Sequence, residues 1–266
     1  MKSFKGKAIY NPSGKAGEYS YWACNFYKGC SGMCTYCFNK KGILKAVLGG
    51  DKPELKSCFA DVNDAEATFL KEFRANIEEL KAHGLFFSFT SDFFPGTSEL
   101  LIFAIETCLL NFVPVKILTK QTDWITNDFI ERLDNLHREI AFGFTLTGHD
   151  EMEQGCASNQ SRIRKMSFLN ILGFLTWASI EPIIDYKSSL QMIKQTRNCC
   201  DLYKIGLKSG EHYDSSEIQE FMADVHSLIP FKPIYWKDSL INQAKIKRKD
   251  LRGNCVDRDY NIFQNK

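Results

Sequence analysis

The 266-residue chain is predicted to be an α/β protein built on one parallel sheet. Three observations carry that reading. Six short apolar or aromatic segments alternate with segments of helical spacing. The runs at 85–90 and 115–119 are almost continuously apolar, as strands covered on both faces are. No repeat, low-complexity tract or Pro/Gly/Ser-rich linker interrupts the alternation, so one core is expected.

The elements follow in order. An aromatic-rich strand is expected over 19–26, then apolar strands over 85–90, 115–119, 139–147, 176–184 and 202–207. The first helix spans 64–82: Asn63 and Asp64 suit its start, Glu66 its first turn, and Gly84 its end. Further helices are expected at 98–111, 128–138, 161–172, 187–199 and 216–228, with Thr97, Asn127 and Ser215 at cap positions. Chemistry in such sheets gathers at the carboxyl ends of strands. That singles out Cys30–Cys37, Ser91 and Asp92, Lys120, Thr145–Thr147, Glu181, and Lys208 with Ser209.

Composition excludes several classes. With 44% hydrophobic and 25% charged residues the chain is no disordered polyelectrolyte. Thirty-four basic against 32 acidic residues leave a net charge of +2, which gives no global case for binding nucleic acid or membrane. The longest apolar stretch, 100–115, is broken by Glu106, Thr107 and Asn111, and the basic start has no apolar h-region behind it. A cytoplasmic, soluble protein is expected. Ten cysteines are too sparse for a disulfide scaffold, yet three fall within eight residues.

Those three are Cys30, Cys34 and Cys37, spaced Cys-x3-Cys-x2-Cys, with Gly29 and Gly32 for tight turning. Three thiolates at this spacing wrap one cluster or metal from a single loop. On a four-iron cube they leave one iron open to a further ligand. A zinc site completed by Cys24 or a distant histidine is the alternative, but no second Cys-x2-Cys pair exists here.

The Cys-x3-Cys-x-aromatic-Cys pattern resembles the signature of the radical S-adenosylmethionine (SAM) superfamily. The resemblance implies a partial (β/α)6 TIM-type barrel, the cluster loop after its first strand, and a short C-terminal extension. It implies a [4Fe–4S] cluster on Cys30, Cys34 and Cys37, SAM on the open iron, and Tyr36 beside the adenine. The implied chemistry is cleavage of SAM to a 5′-deoxyadenosyl radical that abstracts a substrate hydrogen. The barrel is expected over 1–230 and the extension over 231–266, packed on or near it. An electron-donating protein or small reductant is implied as partner.

Three segments are similar to the spore photoproduct lyase group: Asn25-Phe-Tyr-Lys-Gly-Cys30, Thr90-Ser91-Asp92 and Ile117-Leu-Thr-Lys120. By that resemblance Ser91 and Asp92 hold the methionine ammonium, Lys120 pairs with the carboxylate, and Thr145 or Thr147 meets the ribose; a zwitterion needs such opposite partners. Glu181 would contact cofactor or substrate. Each residue has a plainer reading: helix capping for Ser91 and Asp92, a solvated lysine, a polar lumen face for the threonines, and a buried ion pair for Glu181. In spore photoproduct lyase a cysteine directly precedes the Thr-Ser-Asp run and returns a hydrogen atom to the product; here Phe89 stands there. A substrate other than spore photoproduct is expected. The opening Gly6–Lys15 resembles short members encoded beside a second radical SAM protein, which implies a possible partner of that kind.

The remaining motifs are weaker. Cys199-Cys200 read as small hydrophobes at a helix end, with a redox pair or second-cluster ligand as the functional alternative. The stretch Lys245–Arg258 holds six basic and two acidic residues near Tyr235, Trp236 and Tyr260. It is a solvated face or a nucleic-acid contact. A nucleic-acid-binding iron–sulfur protein with a structural cluster is therefore the alternative function.

Overall fold

The computed structural model describes residues 3–133 and 135–264. The outermost residues of the two expected units, 1–2 and 265–266, lie outside the described residues, as does 134 within the helix expected at 128–138. Strand β1 (Ile9–Tyr10) pairs antiparallel with β2 (Ala23–Cys24). A separate antiparallel ribbon of β3 (Tyr27–Lys28) and β4 (Glu54–Leu55) brackets a long loop that carries the short helix α1 (Leu44–Leu48). From β2 the main sheet continues in parallel through β5 (Leu85–Phe87), β6 (Val115–Thr119), β7 (Ile140–Thr145), β8 (Leu175–Ile183), β9 (Leu202–Leu207) and β10 (Ile234–Trp236). Its order is β1-β2-β5-β6-β7-β8-β9-β10, so β1 and β10 are open ends and the barrel is partial.

The strands expected at 115–119 and 202–207 stand as read. The first is much shorter than 19–26: Tyr19 turns inward after a 3-10 turn at Ala16–Glu18, and only Ala23 and Cys24 pair. β10 is a seventh parallel strand that the alternation did not single out, and it lies in the segment expected as an extension.

Helices α2 (Val62–Ala75) and α3 (Ile77–His83) replace the single helix expected over 64–82. Asn76 divides them, because its side-chain amide donates to the Glu72 carbonyl at 2.7 Å and competes with the backbone ladder. Gly84 ends α3 with φ +73°, as expected. Helices α4 (Ser98–Leu110), α5 (Asn127–Arg132), α6 (Asn159–Ile171), α7 (Tyr186–Thr196), α8 (Ser215–Leu228) and α9 (Asp238–Ala244) complete the outer layer. The side-chain caps of α5 and α8 are Thr126 and Asp214, one residue before the expected Asn127 and Ser215. Thr97 does precede α4, but its hydroxyl bonds to Phe94 and Asp92 instead of capping.

The pleat divides each strand between two cores. Ile117, Phe142, Ala178 and Ile205 face the helices, whereas Phe86, Ala141, Trp177 and Leu202 face the lumen. Trp177 fills the lumen against Gly143, where a Cβ would sit 2.1 Å from the indole. Ile262 and Phe263 join the same inner cluster, and Lys116, near the start of β6, lies 5.8 Å from the Phe263 ring. The C-terminal segment thus fills the amino end of the lumen and leaves the carboxyl end open.

Candidate active site

At that carboxyl end the strand termini surround a cavity of about 290 Å³. The loop with the three cysteines forms one wall. Gly29 turns the chain into it with φ +78°, packed so closely that a Cβ would meet the Lys52 carbonyl at 2.2 Å. The Cys30 N–H donates to the Gly50 carbonyl at 3.0 Å and closes the base of the loop. Cys30, Cys34 and Cys37 all line the cavity. A Cβ on Gly32 would lie 3.2 Å from the Cys30 sulfur and 3.6 Å from that of Cys34, so glycine leaves the room these thiols share. Among the described residues no three His, Cys, Asp or Glu side chains are spaced for a single metal ion. Three soft thiols on one loop facing a cavity are a donor set of the type that suits an iron–sulfur cluster.

Asn25, upstream of the cysteines, ties the loop to the end of β5. Its side-chain carbonyl accepts from the Phe89 N–H at 2.8 Å, while Asn39 donates to the Phe89 carbonyl at 3.3 Å. The Phe89 ring stacks on Phe86 at 4.3 Å and borders the cavity. Ser91 and Asp92 line it too. The Asp92 carboxylate accepts from the Thr119 hydroxyl and from the N–H groups of Lys120 and Phe93, both at 2.8 Å. It therefore fastens the ends of β5 and β6 together while still facing the cavity.

Lys120 follows β6 with its Nζ 5.6 Å from the Tyr36 ring centre, and makes no ion pair among the described residues. Burial pulls its pKa down, but Tyr36, Cys34 and Glu153 push it up by more, so it remains a cation. The Tyr36 hydroxyl donates to Glu153, which forms an ion pair with Arg162 at 2.7 Å; both members of that pair are fully buried. Arg162 also donates to the Thr145 and Ala157 carbonyls. Residues 152–157 are thereby strapped across the cysteine loop: Thr35 donates to the Met152 carbonyl and Gly155 to the Gly32 carbonyl. Cys156 lies on this strap. Its hydrogen bond to the Cys34 sulfur lowers the Cys34 pKa, against the upward push of burial.

Thr145 and Glu181 also line the cavity, but Thr147 does not. The Thr147 hydroxyl accepts from the His149 N–H and its own N–H donates to Asn159, which makes it part of the turn after β7. Glu181 sits at a bulge in β8, between the register pairs of Ile180 and Ile183, where Pro182 has no N–H to give. Its carboxylate accepts from the Tyr19 hydroxyl and from Lys237 at 2.8 Å. The ion-pair reading of Glu181 thus describes its contacts, and cavity lining comes in addition.

Sequence reasoning missed Tyr19, Ser88, Glu153, Arg162, Ser179, Lys204 and Lys237. Lysine at 116 or 204 inside an apolar strand was a usable signal, since alternation puts it opposite Ile117 or Ile205. Lys204 bonds to the Glu18 and Tyr19 carbonyls, and burial holds its pKa well below the usual value. Cys199 and Cys200 are buried in the outer core, the latter bonded to the Leu202 carbonyl, as packing residues are. In the basic C-terminal stretch Arg248 is spent on Asp238 and the Trp236 carbonyl, and Arg258 on the Gly17 carbonyl.

No protein-family model and no curated protein sequence matches the chain. Solved structures do. Streptococcus suis SuiB bound to S-adenosylmethionine superposes with a TM-score of 0.59 at 13% identity, over 83% of this chain and 51% of SuiB. Spore photoproduct lyase complexed with dinucleoside spore photoproduct gives a TM-score of 0.55 at 16% identity, over 84% and 64%. The chain shares their fold. A mutant spore photoproduct lyase with bound AdoMet and dinucleoside spore photoproduct matches at 0.52 and 15% identity, over 80% of this chain and 62% of the lyase. The chain spans between half and two thirds of the length of these proteins. Among the described residues no helix is long and apolar enough to cross a membrane.

Proposed function

We propose that the chain is a radical S-adenosylmethionine enzyme in which Cys30, Cys34 and Cys37 hold a [4Fe–4S] cluster. The observation that carries this reading is the convergence of these three thiols with Ser91, Asp92, Lys120 and Thr145 on one cavity at the strand ends. A cluster with SAM bound there supplies reductive cleavage of the sulfonium to a 5′-deoxyadenosyl radical, which takes a hydrogen atom from substrate.

The chain's own residues then divide the work. Lys120, a cation without an ion-pair partner among the described residues, meets the methionine carboxylate. Ser91 and Asp92 offer oxygen acceptors to the ammonium, with Asp92 already fixed in place by its three donors. The Tyr36 ring, held through Glu153 and Arg162, offers a flat face to the adenine. Thr145, on the cavity wall, is the candidate for the ribose contact, whereas Thr147 is committed to its turn.

Substrate occupies the side of the cavity walled by Phe89, Tyr19, Glu181, Lys208 and Ser209. Phe89 has no labile hydrogen to return to a product radical, which separates this chain from a spore photoproduct lyase. A low-potential electron donor is required in either case.

The test is electron paramagnetic resonance of the anaerobically reconstituted, reduced protein with and without SAM, paired with assay of 5′-deoxyadenosine. A [4Fe–4S] signal shifted by SAM, with 5′-deoxyadenosine released, is the expected result. A cluster signal indifferent to SAM would mean a structural or electron-transfer centre. Zinc without inorganic sulfide would overturn the reading altogether.

A further inference from the structure

Cys156 lies 122 residues beyond Cys34 in sequence, yet its Sγ is 3.8 Å from the Cys34 Sγ, the one thiol–thiol hydrogen bond among the described residues. The approach is built by backbone. Gly155 donates to the Gly32 carbonyl at 3.1 Å, Thr35 to the Met152 carbonyl at 3.0 Å, and Ala157 to the Lys120 carbonyl at 3.1 Å. Gln121 adds a bond to the Gly155 carbonyl at 2.9 Å. Gly155 fits so tightly that a Cβ would stand 1.9 Å from the Ser31 carbonyl oxygen. Cys34 is buried but borders the cavity, whereas Cys156 is half-buried and does not line it.

We propose that Cys34 and Cys156 form an oxidative modification site: a thiol pair that closes to a disulfide whenever the loop holds no iron. The sulfurs need to approach by less than about 2 Å to reach bonding distance. With a small disulfide such as oxidised glutathione as oxidant, the Cys34 thiolate attacks one glutathione sulfur and expels the other glutathione as thiolate. The Cys156 thiolate then attacks the Cys34 sulfur, forms the protein disulfide and expels the second glutathione. The two protein thiols lose two electrons and two protons, and both pass to the two glutathione molecules. Iron on Cys34 prevents the first attack. The consequence for cluster assembly rests on the iron–sulfur reading; the disulfide itself does not. Once it forms, Cys30 and Cys37 alone remain for a cluster, and the irreversible oxidation of Cys34 is averted.

The test uses iron-free full-length chain treated with oxidised glutathione, then alkylated and digested with trypsin without reduction. Tandem mass spectrometry is expected to find residues 29–40 joined to 139–162 through Cys34 and Cys156, the latter peptide having no other cysteine. Cys156→Ala, with Cys156→Ser as the second variant should alanine misfold, is expected to leave Cys34 as a glutathione adduct. Oxidised wild type is expected to take up iron and sulfide only after dithiothreitol. A bond from Cys34 to Cys30 or Cys37, or alkylation of both Cys34 and Cys156 after treatment, overturns the proposal. A Cys34–Cys156 peptide from protein that assembles no cluster even after reduction supports this pair and removes the iron–sulfur reading instead.

Discussion

Glu153 and Arg162 form an ion pair at 2.7 Å with no solvent exposure of either side chain, and the Tyr36 hydroxyl rests on the same carboxylate. The pair joins α6 and the end of β7 to the cysteine loop, because Arg162 also holds the Thr145 carbonyl. Its removal from one side leaves the partner charged and buried. Arg162→Ala is therefore expected to destabilise the fold by about 3–5 kcal/mol, read from urea unfolding. Glu153→Gln, which keeps a hydrogen-bond acceptor, is expected to lose less.

Lys120 offers a separable test, since it stands at the cavity without an ion-pair partner among the described residues. Lys120→Met keeps the apolar stem and removes the charge. A charged hydrogen bond contributes about 1.5–3 kcal/mol, so SAM binding to the reconstituted protein is expected to weaken roughly ten- to hundredfold. Equilibrium dialysis reads this directly, and unfolding curves are expected to change little.

His149 is expected to confer a pH-dependent increment of stability. Its ring lies 2.6 Å from Asp185 and 2.7 Å from Glu151; burial acts to lower its pKa, but the two carboxylates raise it overall. A histidine with a folded pKa above its unfolded value of about 6.5 stabilises below that value and loses the effect as pH rises through the folded one. The carboxylates must remain ionised, so the window lies between their titration and that of the histidine. Unfolding of wild type and His149→Asn is expected to differ most near pH 5.5 and to converge at pH 9. A difference that grows with pH would contradict this.

Gly143 faces Trp177 across the lumen, where a methyl group would overlap the indole at 2.1 Å. Gly143→Ala is expected to destabilise by about 1–3 kcal/mol through overpacking. Loss of near-ultraviolet circular dichroism from the displaced tryptophan would accompany it.

Much of the architecture was legible in residue order. Apolar runs such as 115–119 and 202–207 are short, are bounded by breakers, and form strands at those limits. The strand-end rule likewise marked Ser91, Asp92, Lys120, Thr145, Glu181, Lys208 and Ser209, all on the cavity. Thr147 illustrates where the rule stops. Two residues past the last paired residue of β7 the chain has already turned, and the hydroxyl serves that turn.

What the sequence by itself determined is local: the strand–helix alternation and the cysteine spacing on one loop. Periodicity and spacing are written between near neighbours, and burial of apolar faces enforces them wherever the chain goes. Only the tertiary structure decided that Glu153 and Arg162 support Tyr36, that Lys237 pairs with Glu181, and that Cys156 meets Cys34. These partners lie far apart in sequence and are brought together by the parallel pairing of β6 to β10 and by backbone bonds between loops. No local pattern encodes such contacts, because each residue alone reads as an ordinary polar or small side chain. The curving of the sheet around a lumen brings Tyr36, Glu181, Lys237 and Cys34 to one cavity, with Glu153, Arg162 and Cys156 supporting it from behind.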